Sequence, residues 1–138
     1  MGALISWSGG KDSCLALWRA RESGLAVTHA LTALDETGTR TRSHGVSKSL
    51  IAAQTAALGL RATFLSASRT NYETAFVAQL KALKADGVGH AVFGDIDIAA
   101  HRAWEENVCA DAGMTASLPL WQQDRRQLPA QGRVQPPL

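Results

Sequence analysis

Ser8-Gly9-Gly10-Lys11-Asp12-Ser13 is the stretch on which the reading of this chain turns. It follows a short apolar run, residues 3–7, and opens an amphipathic segment, so the order is strand, glycine turn, helix. Such a turn suits an anion. Gly9 and Gly10 permit positive φ and close backbone approach, which lets several N–H groups converge on one phosphate, and the helix that follows adds its own unpaired N–H groups and positive dipole end. Lys11 supplies a point charge, and Asp12 or Ser13 is expected to cap the helix.

Two familiar phosphate motifs are excluded. A G-x-x-x-x-G-K-[ST] loop would put four residues between its glycines, and Gly9 and Gly10 are adjacent; the dinucleotide fingerprint fails as well.

Working outward, 138 residues suit one domain with a sizeable core, and 46% hydrophobic residues make it globular. No run is long enough to cross a bilayer and the first apolar run is too short for a signal peptide, so a cytoplasmic protein with no membrane partner is expected. Cys14 and Cys109 form no C-x-x-C pair, which argues against a disulfide framework or a cysteine metal site. Cys14 is read as core packing. Residues 1–121 hold 11 Lys/Arg and 11 Asp/Glu, and the net +2 arises from Arg125, Arg126 and Arg133 against Asp124. With no basic face, nucleic acid is disfavoured as a partner.

Punctuation by glycine reveals a repeat. Helical patterns end at Gly24, Gly59, Gly87 and Gly113, each followed by an apolar run, and glycine is the common residue just past a helix. The runs, residues 3–7, 27–34, 62–65, 90–93 and 115–118, are five expected strands alternating with four helices. Apolar stripes are expected at Cys14, Leu17, Trp18; at Val46, Leu50, Ala53, Ala57; at Phe76, Leu80, Leu83; and at Trp104, Val108. Alternating strands and helices imply right-handed crossovers and a doubly wound α/β parallel sheet, with ligands beyond the carboxyl ends of the strands.

Residues 8–13 in their strand-turn-helix setting resemble the PP-loop of the ATP pyrophosphatases, which split ATP between its α and β phosphates. Further pieces extend the likeness: Ser6-Trp7, Asp35-Glu36, Arg42 with His44-Gly45-Val46, Ala57-Leu58-Gly59-Leu60, Phe93-Gly94-Asp95-Ile96, His101-Arg102, Trp104-Glu105 and Pro119-Leu120-Trp121. In this order they resemble the diphthine-ammonia ligase branch, over residues 3–121. The resemblance implies a Rossmann-like, HUP-type sheet of order 3-2-1-4-5, whose reversal brings residues 94–100 to face residues 8–13 across the nucleotide.

The chemistry the resemblance implies is attack of a carboxylate on the ATP α phosphate, release of pyrophosphate, then ammonia attack on the acyl-adenylate to give an amide. Ser8, Gly9, Gly10, Lys11 and Ser13 would hold the leaving pyrophosphate, and Gly94 would admit backbone close to the adenosine. Mg²⁺ is the expected cofactor beside ATP, because charge on the leaving group needs neutralising. Asp12 and Asp95 are its candidate ligands, with capping as the alternative for Asp12. Lys11, Asp95, His101 and Arg102 are the candidate catalytic residues. Asp35, Arg42 and His44 are candidates for ribose or for a substrate carboxylate, with solvated loop residues as the alternative. Trp7 could line the adenine pocket; Trp18, Trp104, Trp121, His29 and His90 are read as structural. Expected partners are a small-molecule or protein carboxylate and an ammonia donor, with homo-oligomerisation left open.

Members of that branch continue past Pro-Leu-Trp into a glycine- and glutamate-rich segment that helps complete the substrate site. Here residues 122–138 show no helix or strand pattern, so the expectation is a domain over 1–121 and a loose tail. The substrate-specific half is then either missing or supplied by another subunit. An RNA-modifying PP-loop enzyme and a non-catalytic ATP-binding module remain as alternative functions.

Overall fold

The computed structural model describes residues 2–42 and 44–122. Five strands alternate with four helices: β1 (Gly2–Ser6), α1 (Lys11–Glu22), β2 (Val27–Leu34), α2 (Lys48–Ala57), β3 (Arg61–Ser66), α3 (Tyr72–Ala85), β4 (Val88–Val92), α4 (Ala99–Ala112) and β5 (Thr115–Ser117). All pair in parallel, in the order β3-β2-β1-β4-β5. The doubly wound sheet expected from the alternation is therefore present, with the expected order. Of the expected tail, residues 122–138, all but residue 122 lie outside the described residues. Among the described residues no helix is long and apolar enough to cross a membrane.

Strand periodicity divides the core into two layers. Ala3 and Ile5 of β1 point to one face, where Leu15, Ala16, Leu17 and Ala20 of α1 and Ile51 of α2 cover them. Leu4 between them points to the other face, against Phe76, Leu80 and Leu83 of α3 and Val108 and Cys109 of α4. Ala3, Leu4 and Ile5 are all fully buried, as a central strand covered on both sides must be. The helices change face where the chain passes from the β1-β2-β3 half to β4, and this is the reversal beside which such sheets bind ligands.

Each expected punctuation glycine has positive φ: 102° at Gly24, 72° at Gly59, 96° at Gly87 and 74° at Gly113. Two stripes differ from expectation. In α1 the buried face is Ser13, Leu15, Ala16, Leu17 and Ala20, with Cys14 and Trp18 only partly buried at its margin. In α2 the buried residues are Ile51 and Thr55; Leu50 is half exposed, Ala53 and Ala57 face solvent, and Val46 precedes the helix. Four alanines among its ten residues give an apolar stripe little contrast, and Ile51 and Thr55 take the core face on the side away from them. β4 begins at Val88, not at residue 90, which puts His90 mid-strand.

Candidate functional site

Two anchors fix the end of β1. The Trp7 N–H donates to the Leu31 carbonyl at 2.9 Å, and the buried Thr32 hydroxyl donates to the Trp7 carbonyl at 2.8 Å. The chain then turns through Gly9 at φ 85° into the helix. Within the turn the Gly10 N–H donates to Ser8 Oγ at 3.2 Å, and the Ser13 hydroxyl donates to the Gly10 carbonyl at 3.0 Å. Ser8 Oγ and Ser13 Oγ lie 3.2 Å apart.

Neither Asp12 nor Ser13 caps α1. Gly10 occupies the N-cap position and brings no side chain, so no side-chain oxygen takes the first-turn N–H groups. Ser13 instead points back into the loop, and Asp12 sits in the first turn. A helix start left open behind a glycine turn is suited to an anion. Lys11 is exposed at its rim.

The loop after β4 packs directly on this turn. A Cβ built at Gly94 would lie 3.0 Å from the Asp12 carbonyl oxygen, 3.1 Å from its carbon and 3.2 Å from the Ser13 nitrogen. Glycine is required there by space. Together the two loops enclose a cavity of about 270 Å³ lined by Ser8, Asp12, Ser13, Gly94 and Asp95, with Glu105 and His44. The facing of residues 8–13 by residues 94–100 is thus realised.

His44 comes from an arch between β2 and α2. Antiparallel bridges pair Leu34 with Thr41 and Arg40 with Ser47, and the buried Thr41 Oγ1 accepts from His44 N–H at 3.3 Å and Val46 N–H at 3.0 Å. This brings the imidazole over the glycine turn, where His44 Nε2 is the atom a Cβ on Gly10 would strike, at 2.9 Å. Asp35 builds the arch instead of facing the cavity: its Oδ1 accepts from the Thr37 hydroxyl at 2.7 Å and from Thr39 N–H at 3.3 Å. Those bonds, the Thr37 hydroxyl foremost, hold its carboxyl below the ordinary range. Arg42 donates to the Ala67 carbonyl and lies 5.3 Å over the Tyr72 ring, at a neighbouring cavity of about 250 Å³ with Ser6, Trp7 and Ser8.

The four candidate catalytic residues are not all gathered. Lys11 rims the turn, and Asp95 lines the cavity with His101 Nδ1 3.1 Å from its Oδ1. Arg102 turns to Glu106, at 3.4 Å, and to the Trp121 ring, at 5.1 Å. Trp7 is buried, donates from Nε1 to Gln54 Oε1 at 3.1 Å, and lines a third cavity of about 440 Å³ with Gly9, Gly10, Lys11 and Cys14. Cys14, expected as core packing, is partly buried at that cavity wall, and burial pushes its thiol up.

Glu105 is the functional candidate that sequence reasoning missed. It is 8% exposed on α4, and its Oε1 is buried without a hydrogen-bond partner. Burial first, then a hydrogen bond with Asp95 and the charge of Asp95, pushes its carboxyl up to about 10. The available signal was a carboxylate set in the same α4 stripe as Val108, Cys109 and Ala112.

These donors fit a hard divalent cation. Among the described residues no group of three or more His, Cys, Asp or Glu stands ready to hold a metal, but Mg²⁺ typically takes only one or two carboxylates and completes its shell with phosphates and water. Asp12 and Asp95 share the cavity, and the unpartnered Glu105 oxygen beside them is a buried polar atom that lacks its complement.

No curated protein matches the chain. Residues 1–116, which carry both loops and all four helices, match the family model described as diphthamide synthase N-terminal domain. With that match on the glycine turn, the 3-2-1-4-5 sheet and the loop facing it, the chain belongs to this family of PP-loop ATP pyrophosphatases.

Proposed function

We propose that the chain binds ATP at the Ser8–Ser13 turn and acts as an AMP-forming ligase, adenylating a carboxylate and transferring ammonia to it. The observation that carries this is the open, glycine-capped start of α1 facing Gly94 and Asp95 across one cavity. Backbone N–H groups at the turn, the Ser8 and Ser13 hydroxyls and Lys11 bind the β and γ phosphates, which depart as pyrophosphate. The substrate carboxylate attacks the α phosphorus and the α–β bond breaks. Ammonia then attacks the acyl carbon, AMP leaves, and one proton is released.

Asp95 and Asp12 would hold Mg²⁺, which supplies charge neutralisation to the leaving pyrophosphate. His101 orients the Asp95 carboxylate through the 3.1 Å contact and is able to carry the released proton. His44, above the turn, is placed to donate to a phosphate oxygen or to the incoming carboxylate. The type of chemistry follows the resemblance to the diphthine-ammonia ligases, which makes a diphthine carboxylate the first acceptor to try.

Calorimetric titration with ATP, AMP and pyrophosphate in Mg²⁺ tests the nucleotide site. ATP should bind, and Lys11→Ala should lose most of that affinity with Tm unchanged, since Lys11 is exposed. A folded wild-type chain that ignores ATP sinks the proposal. The ligase step is read separately, as AMP release that requires both ammonium and the acceptor.

A further inference from the structure

The cavity beside the glycine turn poses an electrostatic problem. Asp12 and Asp95 line it beside the buried Glu105 carboxyl, and a polyphosphate seated on the adjoining turn brings further negative charge close to them. Like charges that close repel unless a cation stands among them. Lys11 meets the phosphates at the turn but does not line this cavity; it borders the neighbouring one with Trp7.

Glu105 differs from the other two acids. More than nine-tenths of its surface is buried, its Oε1 has no hydrogen-bond partner, and it lines the same cavity as Asp95. Packing alone gives no reason for a carboxyl at this position. The neighbouring α4 positions that face the same layer are Val108, Cys109 and Ala112, and a buried polar atom without a partner opposes folding. Position explains what packing does not: α4 carries Glu105 to the loop after β4, where it meets Asp95, and His101 at the helix start holds Asp95 from the other side. The two carboxyl groups thus come from different elements and converge on one cavity.

Resting on the ATP-binding reading above, we propose that Glu105 joins Asp95 as a direct protein ligand of the divalent cation that accompanies ATP, through the oxygen that lacks a partner. Two carboxylates, phosphate oxygens and water complete a six-oxygen shell. His101 is a positioning residue for this pair. α4 then senses the nucleotide through Glu105, although the helix contributes nothing to the glycine turn itself.

Mn²⁺ is the probe, added to the full chain with ATP and followed by electron paramagnetic resonance of the free ion. Glu105→Gln should weaken Mn²⁺·ATP binding by about tenfold or more, while calorimetric affinity for ATP in EDTA stays at the wild-type value. Equal Mn²⁺·ATP affinity in the folded variant overturns the proposal, as does a loss of the same size in EDTA, which would mark Glu105 as a structural brace. A second measurement needs no variant. The wild-type chain labelled with ¹³C at its glutamate carboxyl carbons should show a ¹³C coupling to bound Mn²⁺ at ligand distance, since Glu105 is the glutamate that lines this cavity. Absence of that coupling in the Mn²⁺·ATP complex overturns the proposal whatever the variant does. If wild type binds no ATP with or without Mn²⁺, the nucleotide reading falls and this one with it; ATP binding that is indifferent to Glu105 removes this one alone.

Discussion

Gly94 is held to glycine by its neighbours, not by its own dihedral angles. A methyl group there would press on the backbone of Asp12 and Ser13 at 3.0 to 3.2 Å, and backbone in the first turn of a packed helix cannot swing aside as a side chain could. Gly94→Ala should therefore cost about 1 to 3 kcal/mol in denaturant unfolding, the range for overpacking, and should part the two loops enough to weaken ATP binding. Wild-type values for both would show that the contact is not demanding. Glu105 sets a second test, through pH. Its carboxyl ordinarily titrates at 4.5 and is pushed up to about 10 in the fold, so the folded chain keeps a proton that the unfolded chain releases. This contribution is fully present below pH 4.5 and is lost progressively as pH rises towards 10, by at most about 1.4 kcal/mol per pH unit. In metal-free buffer the wild-type Tm should fall between pH 5 and pH 9, and Glu105→Gln should flatten that fall. An identical slope in the variant would mean that Glu105 does not hold the proton.

At the scale of elements, α2 gives the sharpest contrast between pattern and packing. Ile51 is fully buried and Leu50 is half exposed, one residue apart. Ile51→Ala should cost about 2 to 5 kcal/mol, whereas Leu50→Ala should stay within about 0.5 kcal/mol; the reverse order in thermal or urea unfolding would restore the stripe expected from spacing. The same contrast explains what the sequence revealed. The glycine turn, the glycine caps and the alternation of strands and helices were legible because each rests on local signals, whereas strand order and the facing of the two loops were implied only by the family resemblance. Helix faces were legible in α3, where Phe76, Leu80 and Leu83 share one face at helical spacing, and not in α2, where four of ten residues are alanine and give the stripe little contrast. The roles of Asp35, Arg42 and Arg102 were not legible either. Their partners, Thr37 and Thr39, Ala67 and Tyr72, Glu106 and Trp121, are selected by the fold of the arch and of α4. Glu105 was hidden for a related reason: its partner Asp95 is met only when the loop after β4 folds back over the start of α4.

The whole molecule divides functionally into two edges of one sheet. Helix ends capped at Gly24, Gly59, Gly87 and Gly113 lie at the amino edge of the strands, while the glycine turn, the Thr41–Ser47 arch and residues 94–100 lie at the carboxyl edge. Loops from β1, β2 and β4 share a cavity there only because the strand order reverses between β1 and β4. A ligand in that cavity binds several sequence-distant segments at once, so its free energy must appear as added stability of all of them together. At ATP a hundredfold above its Kd the gain is about 2.7 kcal/mol, enough to raise Tm by several degrees. Hydrogen exchange should then slow in residues 8–13 and 94–100 in parallel, and in the arch carrying His44, with no matching change around the four capping glycines. Lys11→Ala should abolish the joint effect because ATP no longer binds. Protection confined to residues 8–13 in the wild-type chain would mean that the loop after β4 does not share the nucleotide, and the assignment of Gly94 and Asp95 to the site would fall.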